Sequence, residues 1–453
     1  MLNFSLWRQR VSDRAAHHRV WVLAFPMILS SLTVPLLGIV DTAVVGHLAS
    51  AHYMGAVAIG SLIFNFLFWG FGFLRMSATG LTAQAFGQND EHAIRTILWR
   101  SLLLAAILAF ILLLLSPILL SIALHWLQAS AQVEPLAAEY FHIRAWAVPA
   151  ILMRFVIMGW LLGLHNARGT LWILLLVNGL NALLDIIFVV YWHYDVVGVA
   201  WASTIADYAG LLLAFYLARK QLQLYKINNA PKVSWITLFN GREIWQLWKL
   251  NQDIFIRTLL VISAFSFFTA QSATFGDTTL AANTVLLNLV LLLAFALDGF
   301  AHAAEALIGR AIGRKDRLQF KTDVWITGLW SVVSGVLFTL LFCLSGHTLI
   351  RWMTSITAVQ QVADEYLIWL IISPLISIWA FWLDGIFIGA TRVVILRNSM
   401  IVAIVIYSSV WYLTTAWANH GLWLALLSFL GARGLVLALS YHWIERREGF
   451  IVG

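Results

Sequence analysis

The chain has 453 residues, 61% of them hydrophobic and only 11% charged, with a mean hydropathy of +0.86. Soluble domains carry about 25% charged residues, so the composition excludes a soluble globular protein and defines a polytopic membrane protein. The net charge of +7 and the single cysteine, Cys343, point neither to nucleic acid nor to disulfide, redox or zinc chemistry, because the basic residues follow membrane topology and no Cys/His cluster has metal-site spacing.

The N-terminal segment, residues 1–20, is basic and feeds an apolar run too long for a signal-peptide core, so it is expected to be retained. Crossing ~30 Å of hydrocarbon takes ~20 apolar residues per helix. Apolar segments fall at about 21–46, 53–76, 97–124, 136–163, 170–193, 196–218, 247–275, 278–308, 322–345, 363–389, 395–417 and 420–443. They are continuous rather than alternating, which excludes a membrane β-barrel and predicts helices whose backbone groups are satisfied within each segment. The fold class is therefore all-α integral membrane, with twelve spans. Spans one to six (21–218) form an N-lobe, 219–246 a cytoplasmic linker, spans seven to twelve (247–443) a C-lobe, and 444–453 a cytoplasmic C-terminus.

Lys and Arg test this count. When the termini and the even-to-odd connections are placed on one side, they hold nearly all the basic residues outside the spans; the other side has only Arg351. Cytoplasmic loops are the positive ones, so both termini are expected inside the cell, in a bacterial inner membrane. A shift of 226 residues lays "GLTAQAFGQND" (Gly80–Asp90) on "ALIGRAIGRKD" (Ala306–Asp316) and also matches Tyr140 to Tyr366, Gly159 to Gly385 and Gly163 to Gly389. Six spans per half is an even number, so the halves are parallel repeats, an arrangement that suits a substrate path and alternating access.

Ionisable residues inside spans are costly and face a cavity or a partner. In "LTVPLLGIVDTAVVGHL" (Leu32–Leu48), Asp41 ends a run of 21 uncharged residues, and at ~1.5 Å per residue it lies roughly 12 Å below the outer end of span one. Asp185 in span five and Ser203 and Thr204 in span six lie about as deep, with Asn181 one turn below Asp185. These groups form a candidate outward-facing pocket. Desolvation and like-charge repulsion favour protonation of its carboxylates, while Asp, Asn and hydroxyl oxygens also suit a small cation; a set of hydrogen-bonded residues locking helices together is the alternative. Pro26 and Pro35 weaken span one near Asp41 and are candidate hinges. Arg75, Asp298, Glu305 and Asp384 lie toward the cytoplasmic side, either as ion pairs sealing an inner mouth or as a second coupling or substrate site. Asp253 and Arg257 read as an ion pair one turn apart, and His302 as a packed or pore-facing residue.

The segments "LAFPMILSSLTVPLLGIVDTAVVGHL", "GLTAQAFGQND", "LDGFAHAAEALIGRAIGRKD" and "WLDGIFIGATR" resemble the multidrug and toxic compound extrusion (MATE) family, in its DinF-like branch, over nearly the whole chain. The resemblance implies a twelve-helix exporter that exchanges protons or sodium for cationic or amphiphilic small molecules. It also implies an N-lobe cation site at Asp41, Asn181 and Asp185 with a hydroxyl from Thr204 or Ser203, and bending of span one at its prolines. Other branches use span-seven glutamates with a span-ten aspartate. Here Asp384 stands without a span-seven glutamate, which argues against a complete C-lobe sodium site.

The expected function is secondary active, proton-coupled export without a cofactor, by a monomer with membrane lipids as its surroundings and no nucleic-acid partner. The alternatives are a sodium-coupled exporter, with sodium at Asp41, Asn181 and Asp185, or a flippase of a lipid-linked precursor, which needs a cluster of arginines. An enzyme is not expected, since no HExxH, GxSxG or paired-aspartate protease pattern appears, and no P-loop points to ATP-driven pumping.

Overall fold

A computed structural model describes residues 13–45, 51–127, 130, 132–225, 238–447 and 449–451, with side chains for all of these except 34–45, 51, 54 and 69. Its long helices account for twelve spans, and no strand occurs among the described residues. Span one is α1 (Arg14–Val45); span two is α2 (Ala51–Trp69), a 3-10 turn at Gly70–Gly72 and α3 (Phe73–Gln88); span three is α4 (Glu91–Leu127). Span four is α5 (Val133–Ala145) and α6 (Val148–Gly163), bent by 48° at the break. Span five is α7 (Ala167–Asp185) continued by a π-helical segment, Ile186–Tyr191, and span six is α8 (Asp195–Leu224). The second half runs through α9 (Gly241–Thr274), α10 (Asp277–Gly313), α11 (Arg317–Met353), α12 (Thr357–Gly389), α13 (Val393–Thr414) and α14 (Ala418–Arg447).

Helix ends overrun the hydrophobic segments. Asp13 accepts hydrogen bonds from the Ala15 and Ala16 amides at 3.0 and 3.2 Å and so starts α1 within the N-terminal segment. α8 and α9 both extend into the linker, whose residues 226–237 lie outside the described ones.

Two compact units are present, residues 29–245 and residues 1–28 with 246–453. The boundary falls inside α1, whereas the sequence reading assigned residues 21–28 to the N-lobe. Packing explains the difference. His17 and Trp21 meet Trp330 edge-on, Trp21 also meets Phe300, and Arg19 pairs with Asp323 at 3.5 Å. Ile28 lies where a Cβ on Gly299 would stand.

The 226-residue repeat is reproduced in three dimensions. A side chain on Gly159 would collide with the backbone carbonyl of Arg75, and one on Gly385 with that of Ala301, which is the equivalent pair. Gly163 is held the same way against Thr79 and Ala83, and Gly389 against Glu305 and Gly309. The turns repeat as well. Asn89 and Lys315 sit at φ 54° and 57°, and the next residue caps the following helix in each, Asp90 to the Ala93 amide at 2.8 Å and Asp316 to the Gln319 amide at 2.9 Å. His165 and Thr391 form a second equivalent pair, at φ 62° and 54°.

Candidate functional site

In the unit of residues 29–245, polar side chains recur on α7 at 178, 181 and 185, a helical i, i+3, i+7 spacing that keeps them on one face. Each is directed at a neighbour or into the interior. Asn178 Nδ2 donates to Thr33 Oγ1 at 2.6 Å, and Thr33 itself donates to the Ser30 carbonyl at 2.6 Å, so α1 and α7 are linked at this level. Asn181, 2% exposed, donates from Nδ2 to Ser203 Oγ at 3.0 Å, linking α7 to α8. Asn181 Oδ1 is buried and accepts no hydrogen bond from a described group. Asp185 is fully buried, and the helix widens into its π segment at the next residue, a distortion frequent at functional positions.

Asp41 lies on the described backbone of α1, but its side chain, like that of Pro35, is outside the described residues. Its height follows from the Thr33–Asn178 bond. Residue 41 is about 12 Å beyond residue 33 along α1, and residue 185 about 10 Å beyond residue 178 along α7, so the two backbone positions lie at similar distances from that bond along their own helices. Pro26 is buried, and α1 continues through both prolines.

The two span-six hydroxyls separate. Ser203 faces Asn181, whereas Thr204 donates to the Ala200 carbonyl at 2.8 Å and is 3.4 Å from that of Ile143, turning it toward span four. On that side Asp207 is clamped by Arg144 at 2.7 Å and Arg154 at 2.8 Å, and the Arg144 guanidinium lies 4.3 Å from the centre of the Phe64 ring. Arg75 is half-buried in this unit.

The other unit has a matching group of charges. Asp384 on α12 accepts from Arg433 on α14 and from Arg257 on α9, while Asp298 acts electrostatically on both guanidiniums and Glu305 on Arg257. Glu305 is buried with His302, whose Nδ1 lies 3.2 Å from Glu305 Oε1. The expected Asp253–Arg257 pair does not form. Asp253 instead meets Arg397 at 2.6 Å, because residue 257 faces the interior of its unit and Asp384 captures it. Sequence reasoning passed over Thr33 and Asn178, although the polar spacing along α7 was the available signal. Among the described residues no three His, Cys, Asp or Glu side chains are grouped to hold a metal ion.

A helical membrane protein of two six-span repeats, with buried carboxylates, amides and arginines inside each, has the construction of a secondary transporter. The MatE family model matches residues 26–187 and 254–413. DNA damage-inducible protein F of Escherichia coli is 43% identical over 437 residues, covering 95% of this chain and 93% of that protein. A probable multidrug resistance protein NorM of Bacillus cereus is 23% identical, covering 94% and 95%. Among solved structures, a point mutant of the Vibrio cholerae MATE transporter VcmN superposes with a TM-score of 0.85 at 19% identity, covering 96% of this chain and 98% of that one. A MATE structure in the straight conformation gives 0.84 at 18%, covering 95% and 96%. The chain belongs to the MATE family of membrane transporters.

Proposed function

We propose that this transporter is a proton-driven exporter of cationic or amphiphilic small molecules, working without a cofactor as a monomer in the bacterial inner membrane with both termini cytoplasmic. The observation that carries the reading is the buried α7 array, with Asn181 bonded to Ser203 and Asp185 fully buried where the π segment begins. A proton arriving from outside on Asp41 or Asp185 neutralises the pocket, α1 bends near Pro26 and Pro35, and affinity for a cationic substrate falls. A ligand shifts such an equilibrium only through different affinities for the two states, and charge neutralisation next to a cation supplies that difference. Relatives named as probable multidrug resistance proteins support the substrate class.

One observation favours a second reading, sodium coupling. The buried Asn181 Oδ1 is an oxygen open to a hard cation. The flippase alternative is weaker, because Arg144 and Arg154 are committed to Asp207, and Arg257 and Arg433 to Asp384. The test is transport in proteoliposomes under separately imposed pH and sodium gradients, with wild type, Asp41→Asn and Asp185→Asn. A pH gradient alone is expected to drive substrate movement, and each variant to lose that response while reaching the membrane at normal levels. Proton-driven transport surviving in both variants removes the pocket from the mechanism, and a response to sodium alone moves the reading to its alternative.

A further inference from the structure

A cleft of about 590 Å3 opens between the last three turns of α4 and α5, lined by Pro117, Leu120, Ser121, Leu124, His125, Glu134 and His142. It belongs neither to the α7 array nor to the arginine clusters. Its four polar side chains, Ser121, His125, Glu134 and His142, are exposed, and none makes a hydrogen bond or ion pair to another described residue. Around it α4 presents Leu114, Ile118 and Ile122 outward, and Trp126, 82% exposed, stands beside His125. Exposed leucines and isoleucines ending at a tryptophan mark the passage from hydrocarbon to headgroup level. Under the topology proposed above, this is the outer leaflet.

The polar groups are ordered along that direction. His125 and Glu134 sit near the rim, at the end of α4 and in the first turn of α5. Ser121 lies about 6 Å deeper than His125 along α4, and His142 about 12 Å beyond Glu134 along α5. Leu120, Leu124 and Pro117 supply apolar wall. The cleft therefore offers a carboxylate and an imidazole at the depth of the ammonium and phosphate, a hydroxyl and a second imidazole deeper, on the side of the ester oxygens, and an apolar wall for a chain.

We propose that this cleft binds a phospholipid with a primary-amine headgroup. The lipid ammonium meets the Glu134 carboxylate, its phosphate meets His125, its ester oxygens accept from Ser121 and His142, and an acyl chain lies along Leu120 and Leu124. A membrane-facing carboxylate and two imidazoles without partners among the described residues are expensive next to lipid, and a headgroup with a donating ammonium and accepting phosphate and ester oxygens satisfies the carboxylate and the imidazole N–H groups together.

Native mass spectrometry of the purified full-length chain, offered phosphatidylethanolamine or phosphatidylglycerol of matched acyl chains, tests this. Phosphatidylethanolamine is expected to be retained preferentially. Glu134→Gln is expected to lower its retention about tenfold, as for loss of one charge-assisted hydrogen bond, without changing that of phosphatidylglycerol, and His125→Ala with His142→Ala to lower both. Because these side chains are exposed, the variants should keep wild-type thermal stability in lipid-free detergent. Equal retention of the two lipids by wild type, or unchanged phosphatidylethanolamine retention in Glu134→Gln, overturns the proposal. So does a permanently cationic dye that binds in a Glu134-dependent way while the lipid does not. None of these readouts depends on transport, so failure here leaves the export reading standing, and the reverse.

Discussion

The two halves share a backbone frame and fill it differently. The 226-residue register places Asn178, Asn181 and Asp185 of α7 on Ile404, Tyr407 and Trp411 of α13. Beyond that point the first half has three more residues, 192–194, before its last span. Asp195 at φ 47° then matches Ala418 at φ 48°, which puts Ser203 and Thr204 on Leu426 and Leu427. The polar array of one half is thus replaced by apolar packing in the other: Tyr407 contacts Phe267 at 5.5 Å and Phe429 at 5.9 Å between ring centres, and Leu426 and Leu427 are buried. Phe267 is also where the register carries Asp41. The second half folds without these polar groups, so the frame does not require them, and their presence in the first half calls for a functional explanation.

Backbone regularity differs in the same sense. The first half interrupts span two at Gly70–Gly72, span four between α5 and α6, and span five with its π segment, whereas α10 and α12 run unbroken over 37 and 33 residues. Interruptions are where a helix bends at least cost. The half with the polar array is the half with the weak points.

The largest effect is expected where the halves are most alike. Gly159→Val and Gly385→Val each drive a side chain into a backbone carbonyl, and backbone has no rotamer by which to yield. Overpacking costs about 1–3 kcal/mol where neighbours can shift and more where, as here, the obstacle is backbone. Both variants should lose most of the monodisperse protein recovered by size exclusion. A large loss in one and none in the other would break the structural equivalence of α6 and α12.

Next come the carboxylates. Asp207→Asn and Asp384→Asn each remove the carboxylate that two arginines share, and breaking a buried pair costs about 3–5 kcal/mol. Asp185→Asn alters a residue that belongs to neither of these arginine clamps. The expected pattern in a thermal melt is a large fall for the first two and a small one for the third, while transport is lost in the third despite its stability. Equal destabilisation by all three would make Asp185 a structural ion-pair member and erase the contrast between the halves.

Much of this was legible in the sequence. Twelve apolar runs, the basic connections and the repeat define the helices and their order, because in a membrane every backbone group must be satisfied locally. The site was partly legible. Asp41, Asp185, Ser203 and Thr204 were selected by depth, since rise per residue is the same for every helix, and Asn181 by its place one turn from Asp185; of these the structure joins Asn181 to Ser203. Side-chain direction was not legible: Ser203 and Thr204 are adjacent, and only packing decides that one turns to Asn181 and the other to the backbone at Ile143. Ion-pair partners were legible least. Asp253 and Arg257 are one turn apart, yet each finds its partner more than a hundred residues away, because a local pair gains little when a buried guanidinium is offered a buried carboxylate.

The smallest effect is expected at the repeated turns. Asn89 and Lys315 occupy equivalent left-handed positions, but the residue types differ in what that conformation costs. Asparagine tolerates it through local hydrogen bonding, whereas for most side chains it costs roughly 1–2 kcal/mol. Glycine carries no such penalty, although it is freer in the unfolded chain and part of the gain is lost there. Lys315→Gly should therefore raise stability by about 0.5–1 kcal/mol and Asn89→Gly by less, a difference measurable as a higher melting temperature for the first. Both turns close with the same two backbone hydrogen bonds, at Phe86 and Ala85 and at Ile312 and Ala311, so the expected gap between the variants comes from the replaced side chain. A larger gain at Asn89 than at Lys315 would mean that the two turns, alike in geometry, carry different loads from the helices they join.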